Sequence, residues 1–270
     1  MTKRKLHLVP SGCVSPETMY RNVDLCKARG LPEARSRTNR PKLAVVGGGV
    51  SAMSCMEELR NWPGDIWACG SVFQWLQTLG IQSTVFCVDP QPCLAQMVVG
   101  ARRALLASNC DPSAFDVLEA SGAHVETFDL VNKDVGIHHG PTTASAAFDL
   151  SVKMGYLNVS FFGFDSSYSE EEIEDKPETY RTVCRTHAFK TEPEPCMVRI
   201  VANGKAYLTS AEFFMQAQWM AQLFTELPSV FKNRSGGLLA ALIADPDYDC
   251  THVSPKLAEG IQETAMAAAA

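Results

Sequence analysis

Three consecutive glycines, Gly47, Gly48 and Gly49, separate an apolar run from a serine in the stretch KLAVVGGGVS. Residues without a Cβ let the backbone turn sharply and come close to a bound group. Ser51 can cap a helix running through Leu59, and the free amides and dipole at that end favour an anion, typically a nucleotide phosphate. A tight turn packed for its own sake would look the same, so the rest of the chain has to decide. Further polar groups recur at intervals: Ser71, Asp89, the pair His138-His139 before Gly140 and Thr142, and Asp165. Two carboxylates, Asp89 and Asp165, suit Mg²⁺ bridging a diphosphate, or the hydroxyls of a donor sugar. Either imidazole can act as general base for an acceptor hydroxyl or as acid for a departing phosphate. Plainer roles compete throughout: a strand-end aspartate capping its own turn, a helix-start histidine bonded to backbone. Zinc is not expected, because adjacent histidines do not easily share one metal and no third ligand lies near in sequence.

The elements that must position these groups alternate. Leu43–Val46, Asp65–Cys69, Ser83–Val88, Ala104–Ala107, His124–Phe128 and Asn158–Phe162 read as strands. Between them, helices are predicted after Ser71, over Asp111–Ala120 and over Thr142–Gly155, with Gly80 closing the first of these. Such alternation gives a mainly parallel sheet with right-handed crossovers, an α/β Rossmann-like fold with helices on both faces. Ligands in that fold sit at the carboxyl ends of strands, where Ser71, Asp89, the His138-His139 loop and Asp165 all fall.

Beyond Asp165 the pattern changes. Ser169–Glu178 is acidic and reads as a solvated loop, with spacing that does not fit a calcium-binding EF-hand. His187 and Lys190 follow it and could close over a donor. Asn203-Gly204 between two β-rich runs predicts a type I′ hairpin, and a long helix follows with an aromatic stripe that reads as core. NRSGG is a second glycine turn before the apolar run Leu238–Ala244. The expected organisation is an N-terminal extension over 1–41, with a short helix at Glu17–Arg29, then a transferase domain over 42–250 and a tail over 251–270.

With 270 residues and 46% apolar content, the chain can bury a substantial core. A net charge of −6 gives no general polyanion-binding surface, so nucleic acid is not an expected partner. Ten scattered cysteines without a C-x-x-C pair suit reduced core thiols of a cytoplasmic protein. Neither a signal peptide nor a membrane span is expected.

Taken in order, GGGVS, WACGSVFQWLQTLGIQSTVFCVDP, GPTTASAAFDLSVKMGYLNVSFFGFDSSY, NGKAYLTSAEFF and NRSGG resemble the MptE-like family, which includes the motility-associated factors of flagellin modification. The resemblance covers about Lys42 to Ala244. It matches the family's VDP segment through Asp89 and Pro90, and its G-x-D-x-S-Y segment through Gly163, Asp165, Ser167 and Tyr168. The glycine motif departs from the family's G-x-G-P-S-L, with Val50 in place of proline and Ala52 in place of leucine. The resemblance implies a Rossmann-like fold similar to that of CMP-sialic-acid-dependent sialyltransferases, and transfer of a group from a nucleotide donor.

Three functions follow. The favoured one is glycosyl transfer from a nucleotide-activated sugar such as a CMP-sugar. The second is Mg²⁺-dependent transfer of pyrophosphate from ATP to a pterin-like acceptor. The third is nucleotide binding without turnover. In each, Gly47, Gly48, Gly49, Ser51, Ser71, Gly140, Thr142 and Tyr168 are expected at the donor, and Asp89, Asp165, His138 and His139 at the chemistry. The expected partners are a small-molecule donor, an acceptor, and a second copy of the chain if it oligomerises.

Overall fold

The structure, a computed structural model, describes residues 14–36, 42–130, 142–167 and 197–253. Among them, seven strands form one parallel sheet: β1 (Leu43–Val46), β2 (Asp65–Cys69), β3 (Thr84–Cys87), β4 (Arg103–Ala107), β5 (His124–Phe128), β6 (Val159–Phe162) and β9 (Phe231–Asn233). Their spatial order is β5-β4-β3-β2-β1-β6-β9. The chain builds outward from β1 to β5, then returns to lay β6 on the other side of β1. All four residues of β1 and of β6 are buried, as a strand covered on both faces requires.

Helices flank the sheet. α3 (Val72–Thr78) packs on β2 and α5 (Pro112–Ala120) on β5. α6 (Thr143–Lys153) and α7 (Ala211–Glu226) meet the sheet through an aromatic cluster. Phe148 of α6 stacks on Phe161 at 4.1 Å between ring centroids and lies edge-on to Phe224 of α7 at 5.3 Å. The stripe of α7 is core, with Phe214, Ala217, Met220 and Phe224 all buried. Short helices α2 (Met56–Arg60) and α4 (Leu94–Met97) and a final helix, α8 (Gly237–Ala244), complete the layers.

A second, antiparallel sheet carries β7 (Met197–Ala202), β8 (Lys205–Ser210) and β10 (Tyr248–Val253) in the order β10-β7-β8. Asn203 and Gly204 join β7 to β8 with positive φ at both residues, 48° and 71°, as a type I′ turn requires.

The N-terminal residues do more than the sequence suggested. α1 (Pro16–Ala28), started by Ser15 accepting from the Thr18 amide, packs on α5. Arg29 donates to Asp116 at 2.6 Å and pairs with Glu119; along the free edge of β5 the Ala34 amide donates to the Thr127 carbonyl at 2.7 Å and the Thr127 amide to the Pro32 carbonyl at 2.9 Å. That contact covers an otherwise open strand edge. The sequence reading also stopped the sheet at β6, whereas β9 extends it. Three residues are too few to show a period. No described helix is long and apolar enough to cross a membrane.

Candidate functional site

The strand order reverses between β1 and β6, so the place where such folds form their ligand crevice lies beyond Val46 and Phe162. Three loops close on one another there: Gly47–Ser51 after β1, Gly163–Ser167 after β6, and Ser235–Gly237 after β9. Their glycines permit the approach. A Cβ on Gly49 would lie 2.6 Å from both the Gly163 carbonyl and the Asp165 Cγ, and one on Gly237 would lie 2.4 Å from the Asp165 carbonyl.

Asp165 sits in the middle, only 2% exposed. A carboxylate so buried must have its oxygens filled by donors. Ser51 supplies its amide at 2.9 Å to Oδ2 and its hydroxyl to Oδ1, and the Gly236 amide reaches Oδ1 at 3.2 Å. The Asp165 carbonyl accepts from the Leu239 amide, and Ser167 Oγ accepts from that of Leu238 at 3.1 Å. Asp165 therefore ties together the loops of β1 and β6 and the start of α8.

This changes the local reading of the glycine triplet. The amides of Gly47 and Gly49 donate to the Phe162 and Gly163 carbonyls at 2.8 and 2.7 Å. The turn then runs into a 3₁₀ segment, Val50–Cys55, before the five residues of α2, with Gly49 at the cap position. Ser51 was expected to cap a helix; its hydroxyl instead donates to a nearby carboxylate, the stronger, charge-assisted bond. Ser71 precedes α3 in helical geometry, φ −62° and ψ −19°, and makes no side-chain cap bond, since capping needs an extended residue.

Register aligns the neighbouring strand ends. Val46 lies opposite Ala68, and Cys69 opposite Phe86, so Gly47, Gly70-Ser71 and Asp89 emerge side by side. Asp89 Oδ1 accepts the Gln91 amide at 2.9 Å, closing its own turn. β3 and β6 are three positions apart in the sheet, about 14 Å at ~4.8 Å per strand. Carboxylates on one Mg²⁺ must both come within about 2.1 Å of it. The strand order does not bring Asp89 and Asp165 together in that way, and the Asp165 oxygens face N–H and O–H donors. The pair does not fit the ion, and no step is routed through it. Among the described residues, no cluster of three His, Cys, Asp or Glu could hold a metal.

Thr142, at the start of α6, donates through its hydroxyl to Gln216 of α7. His138, His139, Gly140, Tyr168, His187, Lys190 and the acidic stretch Ser169–Glu178 lie outside the described residues. Sequence reasoning missed Ser166, Thr209, Gln216 and Ser235 as supports of the crevice. Only Ser235 had a signal, lying within the glycine turn NRSGG. Ser235 Oγ accepts the Phe164 amide at 2.9 Å and donates to Phe161.

Thiols under the strand ends are protonated. Burial pushes Cys69, Cys87 and Cys110 well up from the ordinary thiol range, with the Asp89 charge adding to the effect on Cys87. Cys26, Cys55, Cys69, Cys87, Cys93 and Cys110 are free thiols. A cavity of about 620 Å³ opens elsewhere, near Cys26, Ser108, Asp129 and Lys153, and none of the described candidate residues lines it.

The strand order, the crevice at its reversal and the flanking helices define a Rossmann-like α/β protein. No model of a known protein family matches the chain, and no protein of known function matches it in sequence. Among solved structures it is similar to the MAf glycosyltransferase from Magnetospirillum magneticum AMB-1, with a TM-score of 0.56 and 15% identity, over 82% of this chain and 36% of that one. At that identity the likeness establishes the fold. The chain spans little more than a third of that relative's length.

Proposed function

We propose that the chain is a glycosyltransferase acting on a nucleotide-activated sugar, with the nucleotide lying across the carboxyl ends of β1, β2 and β3. The observation that carries this reading is the reversal of strand order between β1 and β6, where such folds bind ligands, in a fold that follows a glycosyltransferase over 82% of the chain. The family resemblance of the VDP and GFDSSY segments points the same way.

In the proposed reaction an acceptor hydroxyl attacks the anomeric carbon. The bond from that carbon to the nucleotide phosphate breaks, and the acceptor proton passes to a base. Asp89 would accept hydrogen bonds from ribose or sugar hydroxyls, and the Ser71 hydroxyl would donate to a phosphate oxygen. His138 and His139, which shortly precede Thr142 in the sequence, are the proposed base and acid. The amides of Gly47, Gly49 and Ser51 are already bonded within the protein, so the triplet forms the floor of the crevice, and the phosphate is held by the loops around it.

Thermal-shift screening against CMP, UDP, GDP and ATP, each with and without Mg²⁺, tests the proposal. A nucleotide at 100 times its Kd adds about 2.7 kcal/mol. Stabilisation by CMP or UDP without metal, followed by release of that nucleotide from a sugar donor, is the expected result. Stabilisation by ATP only with Mg²⁺, with release of AMP, would replace it with pyrophosphate transfer. Binding without turnover would leave a nucleotide sensor.

A further inference from the structure

Ser166, directly after Asp165, holds φ at +53°, a left-handed conformation that non-glycine residues rarely adopt. Such geometry persists only where the surroundings enforce it, and it concentrates at functional sites. Here the enforcement comes from the long helix and the hairpin. The Ser166 carbonyl accepts from Thr209 Oγ1 at 2.6 Å, and its hydroxyl accepts from Gln216 Nε2 at 2.9 Å while donating to the Phe164 carbonyl at 3.3 Å. Gln216 is only 4% exposed, and its amide oxygen takes the hydroxyl of Thr142. One buried side chain thus holds the turn that follows Asp165 and Thr142, the residue that caps α6.

The polarity of this relay is fixed. The Ser166 hydroxyl gives its proton to Phe164, so it must receive one from the amide nitrogen. The amide oxygen is then left for Thr142. A glycine at 166 would relieve the backbone, yet it would remove the hydroxyl that Gln216 holds. The strained serine and the buried glutamine form one unit.

We infer that Gln216 is a positioning residue: through Ser166 it aims Asp165 at Ser51 and Gly236, and through Thr142 it fixes the start of α6 relative to the crevice. The inference deepens the proposed donor site and rests on that reading only for its effect on binding. Amide exchange on the ligand-free full chain, followed by NMR, tests it whether or not the crevice binds a nucleotide.

Gln216→Leu should speed exchange about tenfold at Ser51, Gly236 and Leu239, whose amides bond to Asp165, and at Ser145 and Ala146, which bond to Thr142. Exchange in β2, β3 and β4 should stay at its native rate. Thr142→Val should loosen only Ser145 and Ala146, and Ser166→Gly only the Asp165 side. Uniform acceleration across the sheet, or native exchange at Ser51 and Gly236, would overturn the inference. If the screen identifies a nucleotide, Gln216→Leu should also weaken it about tenfold, with the change in Kd exceeding what the loss of global stability explains. An unchanged Kd alongside the local exchange pattern would remove the donor-site role and leave the positioning of Asp165 intact.

Discussion

Ser51 gives both its amide and its hydroxyl to the carboxylate of Asp165, across 114 residues of chain. The bonds join the loop of the first strand to that of the sixth, the two strands between which the order of the parallel sheet reverses. A site at this crevice inherits its shape from that pair.

Removing the carboxylate should therefore act on the whole molecule. Asp165→Ala leaves the Ser51 amide, the Ser51 hydroxyl and the Gly236 amide without an acceptor in a buried place. A loss of about 3 kcal/mol is expected, or a fall in Tm of roughly 6–12 °C. Asp165→Asn keeps one acceptor oxygen and should lose less. Calorimetry decides, and a Tm within a degree of the native value for Asp165→Ala would contradict the keystone role.

Glycines in this fold separate into two kinds that chemical denaturation can tell apart. Gly49 has ordinary φ, −74°, and no room for a methyl group, so Gly49→Ala should destabilise by about 1–3 kcal/mol through crowding. Gly122 has φ +69° with nothing within 4 Å, so Gly122→Ala should lose only the backbone preference, about 1–2 kcal/mol. Leucine in place of alanine should cost more at Gly49, where the Gly163 backbone carbonyl cannot move aside, and about the same at Gly122, where the space is open.

Asp89 gives the cleanest test of chemistry. Asp89→Asn keeps an oxygen for the Gln91 amide and so preserves the turn, while removing the charge. Under the proposed function, kcat/KM for sugar transfer should fall at least about tenfold with little change in Tm. A fully active Asp89→Asn enzyme would confine Asp89 to its turn.

The buried thiols predict an alkaline limit. Cys26 is pushed up to about 11, chiefly by burial, so the folded state keeps its proton where the unfolded chain releases it. Stability from this group is complete below the ordinary thiol range near ~8.5 and declines as pH rises towards 11. Denaturation midpoints should fall across that window, and less steeply in Cys26→Ala. In parallel, iodoacetamide at pH 8 should spare Cys26, Cys87 and Cys110 in the native protein and modify them after unfolding, as read by mass spectrometry.

Much of the architecture was legible because it rests on local periodicity. Strands β2 and β5 carry their bounds in the sequence, Asn203-Gly204 demands its hairpin, and buried apolar runs bounded by glycine leave few alternatives to a parallel sheet. Asp89, Ser71 and Asp165 were placed at strand ends on the same grounds. What the local pattern cannot carry is which distant group a polar side chain will choose. Ser51 has the sequence of a helix cap, and it turns to Asp165 because the fold delivers a buried carboxylate beside it. Gln216 sits in a helix whose stripe reads as core, and only the packing of α6, α7 and β6 makes it the bridge between Thr142 and Ser166. Short elements share this fate: β9 has three residues, and its place in the sheet comes from pairing with β6. Periodicity is a property of neighbours along the chain, so the sequence determined the strands, the helices and the edge where ligands gather. Hydrogen bonding in a buried crevice depends on groups a hundred residues apart, so the tertiary structure alone decided that the glycine loop would close around a carboxylate of its own.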